Sequence, residues 1–441
     1  MVCLPQLRQR VDEQFPQAVE ALKSLVRIPS HAAAGPAVLE RSARQVAALL
    51  QAAGVARPKV VAAGGGPAVI GQIDVAPGAP TVLLYAHHDV QPVAADWSTD
   101  PFAPVVKDGR LYGRGSADDA AGIVAHVAAL AALGPELGVN VRLLIEGEEE
   151  SGSPTMGRLL AEHRQVLAAD VAVVADSDNL AVDRPALTTS LRGLAEVTVT
   201  LRVAGRAAHS GMWGGVYLDA PTLLARLIAT LHDADGAVAV PGLDAAPRGA
   251  DLLTEQAVRR SADLAAGLRL AGRGSVADRV WWGPALSVTG FDSTRVAEAS
   301  NTLQPVARAR LSLRVAPGGD AAAAQAALRD HLEARNDFGA ELEIELGPTG
   351  QGYQADESGP AYAAAARALG EAFGAPMTPL GQGGSIPVVA ELAAAFPDMA
   401  VLVTGVEDPD SRAHAGDESA SLELLRRAIL AEALLLAYLA P

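Results

Sequence analysis

Short apolar runs alternate with helical stretches along this chain, and its acidic and histidine-bearing segments begin where the apolar runs end. Helical spacing covers 11–26, 37–53, 120–133 and 156–167. Strand-like runs sit between them at 69–75, 82–85, 139–145 and 171–175. This alternation predicts an α/β fold, a sheet covered by helices on both faces. His87 follows "TVLLY", Glu148–Glu150 follow "VNVRLLI" and Asp176 follows "DVAVVA". In open α/β sheets, ligands bind outside the carboxyl ends of the strands, so these polar segments are placed where a site belongs.

A chain of 441 residues is long for one core, which predicts two domains. The texture changes after 191–193, where "LAEVTVTLRVAG" alternates as a half-exposed strand does. A helix at 220–232 follows, then a β-α-β unit made of "ARARLSLRVAP", a helix over 320–335 and "ELEIEL". The expected division is a catalytic domain in two parts, 1–190 and 351–441, around an inserted domain at 191–350. The catalytic part resumes with a helix at 360–373, a strand at 399–404 and a closing helix at 422–439.

Several function classes are disfavoured. The formal charge is −16, from 51 acids against 35 bases, the wrong sign for a phosphate-backbone partner. No apolar run reaches membrane-spanning length, and the longest, 428–440, is interrupted by Glu432. The expectation is therefore no nucleic-acid and no membrane partner. Cys3 is the single cysteine, which excludes an internal disulfide, and the start of the chain lacks the apolar core of a secretory signal. A cytoplasmic location is expected. No G-x-S-x-G elbow, H-E-x-x-H helix or Rossmann glycine fingerprint occurs, and Gly64–Gly66 read as a hairpin-type turn.

Five segments carry the chemistry: "AHHDVQP" (86–92), "GRGSADDAAG" (113–122), "EGEEESGS" (146–153), "ADSDN" (175–179) and "RAHAGDE" (412–418). Histidine and carboxylate without thiolate suit hard or borderline divalent ions. The candidate metal ligands are His87, Asp118, Glu150, Asp176 and His414. If Asp118 bridges, each of two ions gains one histidine, one private carboxylate and the shared one, with positions open for water and substrate. Glu149 is the natural general base, and Asp89 can accept the His87 ring N–H.

The set resembles the M20 metallopeptidases over nearly the whole chain. "HHDVQP", "GRGSADD", "EGEEESGS", "TTSLRG" and "GGSIP" are most similar to the carnosinase-type dipeptidase branch. The resemblance implies a Zn-exopeptidase-like catalytic domain, a mixed central sheet flanked by helices, with an inserted α+β lid and dimerisation domain. It implies the five ligands above with Asp118 bridging, Glu149 as base, Asp89 as orienting residue and a cis Asp118–Asp119 peptide. It also implies that His209 reaches the partner subunit's site in a homodimer. Arg314 and Ser385 then hold the substrate carboxylate, and Asn301 and Thr302 contact substrate.

There are departures. Ala120 stands where many members have lysine, Asp178 competes with Asp176 for the ligand role, and His88 replaces an apolar residue and is not expected to bind metal. The implied cofactor is two divalent ions per subunit, Zn first, with Mn or Co as alternatives. The implied activity is hydrolysis of dipeptides or short peptides bearing a free carboxylate. The alternatives are an N-acyl-amino-acid amidohydrolase and, behind it, a non-catalytic binding homologue.

Overall fold

The computed structural model describes residues 3–441 apart from 94–95, 244, 246 and 250–251. Chain contacts divide it into two units: Met1–Thr189 with Ala355–Leu380 and Pro387–Pro441, and Ser190–Gln354 with Gly381–Ile386. The short segment Gly381–Ile386 thus goes with the second unit. Arg192 explains its place there, because its backbone N–H donates to the Gln382 carbonyl and its Nε to the Gly383 carbonyl.

The first unit is built on a mixed sheet. Seven of its nine strands are β1 (Lys59–Val61), β2 (Ala68–Ile73), β3 (Thr81–His87), β4 (Asn140–Glu146), β5 (Val171–Val174), β6 (Ala186–Leu191) and β7 (Ala400–Val403), and the short strands Tyr353–Gln354 and Thr378–Gln382 pair with β6. The seven lie in the order β1-β2-β4-β3-β5-β7-β6. Strands β4, β3, β5 and β7 run parallel to their neighbours in this group, while β1, β2 and β6 pair antiparallel at the flanks. Residues 82–87 of β3 are all buried, without alternation, as expected of a strand covered on both faces. Val82, Leu84 and Ala86 join a core with Leu7 and Leu22 of the first helix (Leu4–Val26) and Leu424 and Leu434 of the last (Leu422–Leu439). The helix Ala120–Leu133 is apolar all round except for His126 and almost wholly buried in that layer. The stretch read as one helix at 156–167 is broken at His163, whose backbone leaves helical geometry, into Met156–Glu162 and Arg164–Leu167.

The second unit is a four-stranded antiparallel sheet in the order Ala285–Asp292, Val306–Val315, Gly193–Arg202, Glu341–Gly350. Burial alternates strictly along Gly193–Arg202. Its inward residues Ala195, Val197, Val199 and Leu201 pack with Leu223 and Leu227 of the helix Ala220–Ala229 and Leu328 and Leu332 of Ala321–Ala334. One face is core and one face is open, as the alternating sequence predicts. Among the described residues, no helix is long and apolar enough to cross a membrane.

Candidate metal centre

Four of the five expected ligands follow parallel strands of the first unit. His87 is the last residue of β3, Asp176 lies two beyond β5, and Glu150 sits in a 3₁₀ turn, Glu149–Ser151, after β4. His414 lies in the loop between β7 and Ser419–Ser421, with left-handed backbone at φ 64°. Asp118 is held just before the helix Ala120–Leu133, and the Asp118–Asp119 peptide is cis, as the resemblance implies.

The five come together. The two oxygens of the Asp118 carboxylate face two different histidines: Oδ1 lies 2.9 Å from His87 Nε2, and Oδ2 lies 2.8 Å from His414 Nε2. Asp176 stands 3.9 Å from the same His87 nitrogen, and Glu150 stands 3.2 Å from His414 Nε2. Gln91, from the first motif, donates to Glu150 Oε2 at 2.7 Å. Ligand atoms within 4.8 Å of one another fall into three sets: His87, Glu149 and Asp176; Asp118, Glu150 and His414; and Asp118, Asp176 and Glu407. Asp118 belongs to the second set and meets the first through His87, turning one carboxylate oxygen to each histidine.

The electrostatics are those of a site short of positive charge. Burial, then the Asp176 carboxylate, pushes Glu149 up to about 9. Burial, with Asp118 and Glu150 adding to it against the pull of His87, brings Asp176 to about 7. Hydrogen bonds to Asp118 and Glu150 lift His414 to about 10. Burial works against ionised Asp118, yet its bonds to His414 and His87 hold it below the usual carboxylate range. Two imidazoles, a carboxylate open at both oxygens and further carboxylates without a thiolate form a donor set that fits a pair of divalent ions.

The remaining acids of these motifs hold the loops. Asp89 faces His87 Nδ1 with its carbonyl oxygen at 3.1 Å and its carboxylate at 3.5 Å. That carboxylate also accepts the backbone N–H groups of Glu149 and Glu150, each at 3.1 Å. Asp119 accepts the His87 N–H at 3.1 Å. Glu148 accepts the Gly66 N–H at 2.7 Å and the Thr155 N–H at 2.9 Å. The glycine turn is therefore a hairpin turn, as read, and also a seat for Glu148: a Cβ at Gly65 would come within 2.1 Å of its Oε2. His88 turns away, with Nε2 on the Pro67 carbonyl at 2.8 Å. Asp178 pairs with Glu407 rather than with a histidine. Glu407 and Glu418 were missed in the sequence, since an acid in "GVEDPD" or at the end of "RAHAGDE" looks like ordinary loop polarity.

The other expected site residues lie in the second unit. Ala208–His209 pairs with Thr302–Leu303, so His209 lies opposite Thr302, and the Ser210 N–H donates to the Asn301 carbonyl at 2.9 Å. His209 is exposed, its Nδ1 accepting the Gly211 N–H at 3.1 Å. Arg314 is on Val306–Val315, and Ser385 is in the turn that Arg192 holds through Gly383.

The profile of peptidase family M20/M25/M40 matches residues 83–437. The chain belongs to this family. Its M20 relatives include the cysteinylglycine-S-conjugate dipeptidase of Corynebacterium striatum, 34% identical over 405 residues covering 89% of each chain. The Beta-Ala-His dipeptidase of Rattus norvegicus is 29% identical over 348 residues, 73% of this chain and 70% of the relative. Among solved structures, the dipeptidase Dug1p of Saccharomyces cerevisiae superposes with a TM-score of 0.81 at 23% identity, over 99% of this chain and 98% of that one. That likeness establishes the M20 fold, a catalytic α/β unit with a second α+β unit.

Proposed function

We propose that this M20 chain is a two-metal dipeptidase acting on dipeptides or short peptides with a free carboxylate. The observation that carries the reading is Asp118, whose two carboxylate oxygens face His87 and His414 separately. His87, Asp118 and Asp176 would hold one divalent ion, and Asp118, Glu150 and His414 the other. Zinc is the first choice, with manganese or cobalt as alternatives, since all accept this donor set. When bound, such a pair supplies a more acidic water and a polarised scissile carbonyl.

The protein's own part is proton transfer and orientation. Glu149 stands beside His87 and Asp176 without being needed as a ligand. Its carboxylate takes the proton of the attacking water and returns it to the amide nitrogen as the C–N bond breaks. Arg314 offers a planar fork to the substrate carboxylate, with Ser385, Asn301 and Thr302 as further contacts. His209 acts from a partner subunit in a homodimer, where it steadies the carbonyl oxygen. The relatives, a cysteinylglycine-S-conjugate dipeptidase and a Beta-Ala-His dipeptidase, support a dipeptide substrate class.

The second reading, removal of an acyl group from an N-acylated amino acid, uses the same machinery. A panel of Cys-Gly, β-Ala-His and ordinary dipeptides beside N-acetyl and N-succinyl amino acids, on zinc- or manganese-reconstituted protein, separates them. Turnover of the dipeptides is expected. Turnover of the acyl substrates alone overturns the dipeptidase reading.

A further inference from the structure

We infer that Glu418 is the positioning residue for Asp118: it locks the shared carboxylate to the His414 loop and thereby sets how tightly the second cation is held. This rests on the two-metal reading and goes beyond it, because Glu418 is not itself among the grouped ligand atoms.

The argument begins with the backbone of 113–118. The segment "GRGSAD" belongs to no strand or helix, yet Gly113 and residues 114–118 are buried. Its N–H groups lack a ladder, and buried N–H groups must find acceptors. The Arg114 N–H goes to the Pro101 carbonyl at 2.9 Å and the Ser116 N–H to the Gly113 carbonyl at 3.1 Å, and one side chain takes three of the remaining four. Glu418 Oε1 accepts the N–H of Ala117 at 3.0 Å and of Asp118 at 3.2 Å, while Oε2 accepts the N–H of Gly115 at 3.0 Å and Arg114 Nη1 at 2.6 Å. The Glu418 carbonyl takes the Gly113 N–H at 3.0 Å, and Arg114 Nη2 reaches the Ala415 carbonyl at 3.2 Å. Glu418 is 0% exposed.

These contacts join two loops some 300 residues apart. Asp118 and His414 lie on opposite sides of that join, and their own contact is 2.8 Å. Gly115 has φ +76°, and a Cβ there would meet Val90 Cγ1 at 2.3 Å, so the loop closely follows one path. A neutral acceptor would bind the same N–H groups less strongly than a carboxylate does. Arg114, buried at 1% exposure against Glu418, offsets the placing of a second negative charge beside Asp118. Residues that orient metal ligands typically change metal affinity by about ten- to a hundred-fold when replaced.

The test is Glu418→Gln, close in volume, in which an amide NH₂ must face N–H donors. Metal-free wild type and variant are titrated with Mn(II) against a competing chelator, and the exchange-coupled signal of paired Mn(II) ions is read by electron paramagnetic resonance. Wild type should take two ions per subunit. The variant should bind the second about ten-fold or more weakly and lose the coupled signal. Glu432→Gln, which alters a buried acid outside the motifs, should keep both ions and the signal. A variant with wild-type affinity for both ions and an unchanged coupled spectrum overturns the role of Glu418. Wild type binding fewer than two ions overturns the two-metal reading instead. Should Glu418→Gln not fold, hydrogen exchange on metal-free wild type decides. The amides of Gly115, Ala117 and Asp118 should be as protected as in the loaded protein, and free exchange there overturns the proposal.

Discussion

Glu149 and Glu150 are adjacent in sequence but keep different company. They sit in the 3₁₀ turn Glu149–Ser151, where three residues complete a turn, so neighbouring side chains diverge by roughly 120°. Glu150 is thereby aimed at His414, and Glu149 at His87 and Asp176. The two replacements should separate cleanly. Glu149→Ala is expected to lower kcat by about 10²- to 10⁴-fold with both ions retained. Glu150→Gln is expected to lose metal first. Turnover measured beside metal content per subunit checks both, and unchanged turnover in Glu149→Ala removes it from its role. The five candidate ligands could be picked out in sequence because each sits in a short acidic or histidine-bearing motif, four of them following parallel strands. What held those loops could not: the bonds from Asp89, Asp119 and Glu418 run from side chain to backbone across motifs, and such contacts leave no periodic trace.

At the scale of elements, the helix Ala120–Leu133 carries one polar side chain in its buried run. His126 Nδ1 faces Glu432 of the last helix at 2.8 Å, and Nε2 faces the Tyr85 carbonyl of β3 at 2.9 Å. Both ring nitrogens meet acceptors, so the doubly protonated ring satisfies both. Burial opposes that charge, but Glu432 and the carbonyl outweigh it, and the pKa is raised above 6.5. A raised value in the folded state stabilises fully below the unfolded value and loses that stability as pH rises through the folded one. The unfolding free energy of His126→Asn from urea titration should fall furthest below wild type near pH 5–6, by about 3 kcal/mol, and the gap should narrow toward pH 9. A gap independent of pH would show that the charge contributes nothing. Other elements hid for definable reasons. The strand Ala186–Leu191 is buried throughout and shows no alternation, while Ala285–Asp292 is largely exposed and its burial does not alternate either. The helices 120–133, 360–373 and 422–439 were read to the residue because Gly134 and Gly374 close two of them and Ser421 caps the third.

For the molecule as a whole, the proposed base and the proposed oxyanion histidine belong to different units, Glu149 to the first and His209 to the second. If His209 serves a partner subunit, two dead variants should rescue one another. A mixture of refolded His209→Ala and Glu149→Ala chains is expected to recover part of the wild-type activity, since one site of each mixed dimer is then complete. Light scattering should report twice the 45.0 kDa chain mass. A fully active monomer, or no recovery on mixing, contradicts the arrangement.

The strand order also has a bearing on how such a protein comes into being. Ala400–Val403 enters the sheet between Val171–Val174 and Ala186–Leu191, and the loop after it carries His414. A polypeptide emerging from the ribosome therefore lacks the strand that joins Val171–Val174 to Ala186–Leu191, and the His414 imidazole, until residues beyond 400 have been translated. If His414 holds metal as proposed, vectorial synthesis leaves the growing chain without a complete site until that loop has emerged.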